Sequence, residues 1–420
     1  MDTVLRDTPL RKRHEAYAGR PHAGPREAEG IAGARPGAAT GHRVAPGEVE
    51  YIPYGPREPQ SGVSCSVVAT FGEVEAEYAA IRKGAGLFDR PHRGALRVGG
   101  SDRGEFLNRM LTADLRKLEA GTVTRSFWLN RKGRIDADLV VIELGDRLLV
   151  DLDIHQAALA HRGLSDFVFT DAVQIENASE ALYQVAVHGP EALAVVGAAA
   201  GSASFGLEPW RAATVAIGGV EVVVARCDET GETGLTLIFP FEAAEAVWDA
   251  LLGADETVGQ GKGRVRPIGW YAFNIARVEA GTPLYNVDFG PTNLPHETGV
   301  LAERVSFEKG CYPGQEVVAR MENLGRPRQI LVGLRMTGDR LPVAGDEVVE
   351  PGDGASPKPI GVITSSTLSP MLGATPIALA MIKSAHAEPG ATVVVQSEGE
   401  PAPATVGPLG SGAGVAGSSR

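Results

Sequence analysis

One cysteine in this sequence stands where its sulfur can do chemistry. Cys311 lies in the stretch Ser306 to Glu316, S-F-E-K-G-C-Y-P-G-Q-E, directly before Tyr312-Pro313-Gly314-Gln315. Those four residues suit a type II turn, because proline pre-sets the first central dihedral and glycine accepts the positive φ of the second. Glu316 to Glu322 then has the pattern of a short helix, stopped by Asn323 or Gly325 and followed by Pro327. The thiol is therefore expected near a helix N-terminus, where free N–H groups and Lys309 favour the thiolate while Glu308 and Glu316 oppose it. A thiolate is a nucleophile and a ligand for iron. The plainer alternative is a small buried hydrophobe beside a turn.

Other residues with chemical potential are scattered. Asp136 and Asp138 lie on an expected strand, with an exposed strand edge as the bland alternative. Strand alternation is read as turning Asp136 away from the direction of Asp138. His92 and His296 sit in turn-like segments, and Cys227 has no flanking base and reads as structural. The glycine-rich Gly259 to Gly263, G-Q-G-K-G, matches neither phosphate-loop spacing and follows no strand, so it reads as a loop.

The elements that must position these residues alternate between helix and strand. Val74 to Arg82 reads as an amphipathic helix, Ala95 to Val98 as a strand, and Asp102 to Met110 as a helix capped by Ser101. Ser126 to Val150 reads as strands joined by an R-K-G-R turn and an L-G-D-R hairpin. Ala157 to Phe169 is expected to be helical, Tyr183 to His188 and Val220 to Ala225 to be strands, and Glu242 to Leu252 and Ile268 to Gly281 to be helices. Beyond Pro327, short strand signals between Gly and Pro turns suggest a small antiparallel barrel, with a loose tail from Gly399. Residues 21–47, rich in Gly, Ala, Pro and Arg, read as a flexible insertion.

At 420 residues the chain has length for two or three domains with their own cores. A formal net charge of −12 argues against a general nucleic-acid or anionic-membrane binder. No run is apolar enough to span a bilayer, and the charged N-terminus lacks the pattern of a secretory signal. Three cysteines, odd in number and far apart, suit a reducing compartment, with cytoplasm as the default. Without a C-x-x-C pair the chain is not expected to hold its own metal cluster or structural zinc.

Lys309 to Glu316, K-G-C-Y-P-G-Q-E, resembles the signature octapeptide of the YgfZ family of folate-binding proteins, departing at Pro313. That family is similar to the T protein of the glycine cleavage system, an aminomethyltransferase, and is associated with folate-dependent support of iron-sulfur enzymes. The resemblance implies an α+β, multi-domain T-protein-like (cloverleaf) fold. Two mixed α/β domains would surround a central folate cavity over residues 64–325, after an N-terminal segment, residues 1–63. An antiparallel β-barrel would follow over 326–407, then a tail over 408–420. It also implies tetrahydrofolate or a one-carbon derivative as cofactor, and iron-sulfur client enzymes or assembly factors as partners. Cys311 would be the functional cysteine. Gly133 to Val141 resembles a T-protein stretch with adjacent aspartates, one of which assists transfer from the substrate nitrogen; only Asp138 is kept, with Ala137 beside it.

Other carry-overs concern the cofactor. His92 would stand near the pocket. Arg226 to Leu237 resembles a loop whose tyrosine and glutamate help hold the pterin, and those places here are Glu229 and Thr236. Glu297 would lie beside the folate, Lys309 is placed with it, and Arg320, with Arg326 and Arg328, would take the folate glutamate tail or an acidic partner. Three functions are compatible with these residues: an iron-sulfur support protein using Cys311, a folate-dependent one-carbon transferase using Asp138, and a folate-independent scaffold.

Overall fold

A computed structural model describes the chain except residues 1–3, 20–47, 57–60, 117, 203, 259–263, 353–357 and 411–420. The expected insertion over 21–47, the G-Q-G-K-G loop and the end of the tail lie outside the described residues.

Two sheets carry the centre of the molecule. The first is antiparallel and runs Val123–Leu129, Ile135–Glu143, Leu148–Asp153, Arg93–Gly99, Gln174–Asn177. Its outer face packs Leu96, Leu139, Val141 and Val150 under the helices Arg103–Met110 and Ile154–Ser165. The second runs Ala212–Ile217, Val220–Arg226, Gly234–Pro240, Leu182–His188, Ala85–Asp89, Val265–Ile268, with its last pair parallel. The helices Ala192–Ala199 and Ala244–Gly253 cover its outer face. A shared core of Val123, Ile142, Leu149, Val223, Ala225 and Ile238 joins the two sheets at their inner faces. The alternation of buried apolar and half-buried polar residues along Ile135–Glu143 follows from this placement, since one face meets the helices and the other the opposing sheet.

A closed antiparallel barrel follows, in the order Gln329–Met336, Thr375–Lys383, Pro359–Ser369, Glu347–Val349, Thr392–Ser397, Glu400–Gly407. Glu400–Gly407, read from sequence as loose tail, is the strand that closes it; its proline spacing hid Ala402, Ala404 and Val406, which fill the barrel core. Two helix starts also differ from expectation. Asp102, not Ser101, precedes Arg103–Met110, with Ser101 Oγ donating to Asp102 Oδ1 at 2.9 Å. The next helix begins at Ile154 because Asp153 caps it, accepting from the His155 N–H at 2.8 Å. It stops at Ser165, so Phe167 and Phe169 stand exposed beyond it. Val265–Ile268 is a strand, and the following helix is Trp270–Ala280, ended by left-handed Gly281.

Candidate functional site

The octapeptide folds much as its residues dictate, but it serves as a bracket. Gln315 N–H donates to the Tyr312 carbonyl at 3.2 Å and Gly314 takes φ 80°, which makes the type II turn. The helix Gln315–Leu324 follows. A Cβ on Gly314 would meet the Asn130 carbonyl at 2.6 Å and Gly133 Cα at 3.0 Å, so this glycine lets the turn lie directly on the hairpin that leads into the Asp138 strand. Lys309 is turned inward. Its ammonium donates to the carbonyls of Asn108, Leu111 and Ala113, so it closes the end of a helix rather than facing a ligand. Tyr312 is buried with Phe127, Ile135 and Leu331, while Cys311 is exposed.

Between the two sheets lies a cleft whose walls carry charge. Its lining comprises Arg93, Arg125, Asp138 and Val140 from the first sheet, Arg90 and Glu229 from segments that follow strands of the second, and Tyr54, His92, Phe273, Tyr285 and Arg304 around them. Asp138 Oδ1 accepts from Arg304 Nε at 2.9 Å, and Oδ2 has no partner among the described residues. Arg304 is 2% exposed, so this pair is a fixed feature of the wall. Asp136 is on the same face as Asp138, correcting the expectation of opposite directions, because side chains two apart on a strand share a face. Its distance along the strand keeps it out of the cleft: Asn130 Nδ2 donates to it at 2.9 Å beside the hairpin turn.

Glu229 has an unusual environment. Burial alone would raise its carboxyl, but the charges of Arg90, Arg125 and Arg93 outweigh that and bring it to about 2. Its Oε2 nevertheless has no hydrogen-bond partner among the described residues, 3.7 Å from Arg90 Nη2. Arg90 instead donates from Nη1 to Thr236 Oγ1 at 2.6 Å. Thr230 Oγ1, both ring nitrogens of His188 and Nδ1 of His92 are also buried and unpartnered among the described residues. Burial drives His188 down to about 4 and His92 well below its usual value, so both rings are neutral. Buried polar atoms left open in one region are what a polar ligand would satisfy.

The remaining expected residues are elsewhere. Glu297 is buried, accepting from Asn293 Nδ2 at 2.9 Å and the Leu294 N–H at 3.1 Å, where it caps the turn Pro295–Glu297. Arg320 pairs with Glu316 along its own helix, both largely exposed, and Arg326 and Arg328 are exposed too. Cys227 is buried in the core between the sheets, its thiol pushed up to about 12 by burial. Sequence reasoning missed Arg90, Arg125 and Arg304. Arg125 lies on the strand Val123–Leu129, Arg90 directly after the strand Ala85–Asp89 and Arg304 at the end of the short helix Leu301–Arg304, so no shared element tied them in sequence to Asp138 or Glu229.

Comparison with known proteins places these residues in a wider setting. The GCVT N-terminal domain matches residues 54–309, and the glycine cleavage T-protein C-terminal barrel domain matches residues 329–409. A probable aminomethyltransferase of Halobacterium salinarum is 34% identical over 350 residues, 80% of this chain and 90% of its own. An aminomethyltransferase of Caldanaerobacter subterraneus is 31% identical over 338 residues, 80% of this chain and 87% of its own. The crystal structure of the glycine cleavage system aminomethyltransferase T from Bartonella henselae superposes with a TM-score of 0.72 at 25% identity, covering 84% of this chain and 93% of that one.

Proposed function

Because the chain belongs to the glycine cleavage T-protein family, whose two domains it carries in order, we propose that it is a tetrahydrofolate-dependent one-carbon transferase working in the cleft between Asp138 and Glu229. The observation that carries this reading is the buried, unpartnered Oε2 of Glu229 in the cleft wall. The amino-pyrimidine edge of a pterin offers adjacent N–H donors, and an ionised carboxylate is the acceptor that suits them. In the similar T-protein loop the carboxylate belongs at the place of Thr236, so in this chain Glu229 takes over that part from the other side of the loop. Folate, when bound, supplies the nitrogen that accepts the carbon.

The protein's own groups do the rest. Arg304 fixes Asp138 in one orientation and leaves its second oxygen to hold an N–H of the amine donor. Phe273, Leu284, Tyr285 and Val140 line the cleft between the charged groups and limit the access of water. The cavity is about 40 Å³, against roughly 300–1,000 Å³ for ordinary ligand sites. A bicyclic ring therefore enters only as Arg90 moves aside, which parts it from Glu229, 3.7 Å away and not hydrogen-bonded to it, and costs its hydrogen bond to Thr236.

A second reading, iron-sulfur support, rests on the exposed thiol of Cys311 and the octapeptide. The quoted relatives lend it no weight, and Cys311 is not in the cleft lining. Purified protein given tetrahydrofolate and a panel of aminomethyl and N-methyl donors separates the two. The transferase reading expects one-carbon folate to form, Asp138→Asn to slow it by about 10²–10⁴, and Cys311→Ser to leave the rate unchanged. Loss with Cys311→Ser and tolerance of Asp138→Asn would favour the iron-sulfur reading.

A further inference from the structure

A hollow of about 300 Å³ lies on the outer wall of the barrel, against about 40 Å³ for the cleft, and no residue lines both. Side chains at alternate positions of Gln329–Met336 point out of the barrel, so Gly333 and Arg335 face the same way. The register sets Gly333 between Leu379 and Gly407 on the neighbouring strands, and Arg335 between Ile377 and Thr405. The two glycines leave a floor without side chains. A Cβ on Gly333 would collide with the Pro408 carbonyl, whereas one on Gly407 would stand in open space. Ile377 and Leu379, with Leu372 and with Val278 of the helix Trp270–Ala280, make the walls apolar. Arg335 also lines the hollow, but it is exposed and pairs with no carboxylate among the described residues.

We propose that this hollow binds an aliphatic monocarboxylate, with its chain between the apolar walls and its acid group on Arg335 and the Thr405 hydroxyl. Water in such a space finds few polar partners, so replacing it with a hydrocarbon chain is favourable. At roughly 30 Å³ for each water, the hollow holds about ten, which is about the size of a seven-carbon acid. A guanidinium offers donors only, in a fork that fits a carboxylate, and this selects an acid over an alcohol or an amine of the same length. The site is separate from the cleft and does not depend on the transferase reading.

Calorimetric titration of the full chain with heptanoate, heptan-1-ol and propionate tests it. Heptanoate should bind one-to-one and exceed heptan-1-ol by about three- to fivefold, as an ion pair open to water warrants. It should exceed propionate by more, because each buried methylene adds about fourfold. Arg335→Gln, a change at an exposed position, should remove the preference for the acid and leave the binding of heptan-1-ol in place. Gly407→Val, which puts a side chain into the open space, should abolish binding of both while the unliganded variant keeps the wild-type denaturant midpoint. No saturable binding of heptanoate, equal affinity for acid and alcohol, a preference that survives Arg335→Gln, or heptanoate binding that survives in folded Gly407→Val would overturn the proposal. Binding seen only after residues 411–420 are removed would overturn it too, giving the hollow to the chain's own tail.

Discussion

Asp138 and Glu229 are held differently by their arginines, and the difference sets what each can offer a ligand. Asp138 is fixed by a direct hydrogen bond from buried Arg304, whereas Glu229 is kept ionised by surrounding charge with one oxygen unused. Behind Glu229, His188 packs between Phe88 and Phe273, ring centres 6.5 and 5.5 Å away, and faces Glu229, Arg90 and Asp228 electrostatically. Its folded value of about 4 lies below the usual 6.5, so between those limits the unfolded chain binds a proton that the folded one refuses. Stability from this group is therefore complete above pH 6.5 and falls as the pH drops towards 4, by about 3 kcal/mol in total. Denaturant midpoints measured from pH 7 to pH 4 should show that decline, and His188→Phe should make it shallower, leaving the part due to His92. Of these residues, Asp138 and Glu229 were legible in sequence through their motif neighbours. Lys309 was not, since its partners are backbone carbonyls at Asn108, Leu111 and Ala113, which no side-chain pattern announces.

At the scale of elements, the turn at Tyr312 to Gln315 and the hairpin at Asn130 to Arg134 act as one unit. Gly314 and Gly133, both with positive φ, make the contact. Gly314→Ala should cost about 1–2 kcal/mol from the left-handed backbone alone, with more from the contact to the Asn130 carbonyl. It should also lower transfer activity by displacing the strand that carries Asp138, and urea denaturation with parallel rate measurements checks both. The turn was readable because Pro-Gly chemistry is local. The helix start at Ile154 was displaced by the Asp153 cap, Asp102 turns its carboxylate to the Ala172 N–H instead of capping its own helix, and the closing barrel strand was masked by Pro401 and Pro403.

Across the whole molecule, the helix Trp270–Ala280 joins the barrel to the cleft. Arg277 and Asp288, both fully buried, pair at 2.7 Å and reach Ser365 in the barrel, while Glu279 accepts from Ser369 Oγ and from Arg82. Arg277 to Gly281, R-V-E-A-G, is thus a joint between domains, and the adjoining Thr282 to Tyr285 form the floor of the cleft. The two-domain plan was visible in sequence because strand signals cluster after Pro327. The cleft was not, because its lining comes from residues as far apart as Tyr54 and Arg304, brought together only when the two sheets face each other. The central claim is that this cleft holds tetrahydrofolate on Glu229, and calorimetric titration of the wild-type and Glu229→Gln proteins tests it most directly. Saturable one-to-one binding that weakens at least about tenfold in Glu229→Gln, the loss expected when a charged acceptor is removed, is the predicted result. Absence of saturable binding, or equal affinity in the two proteins, would contradict it.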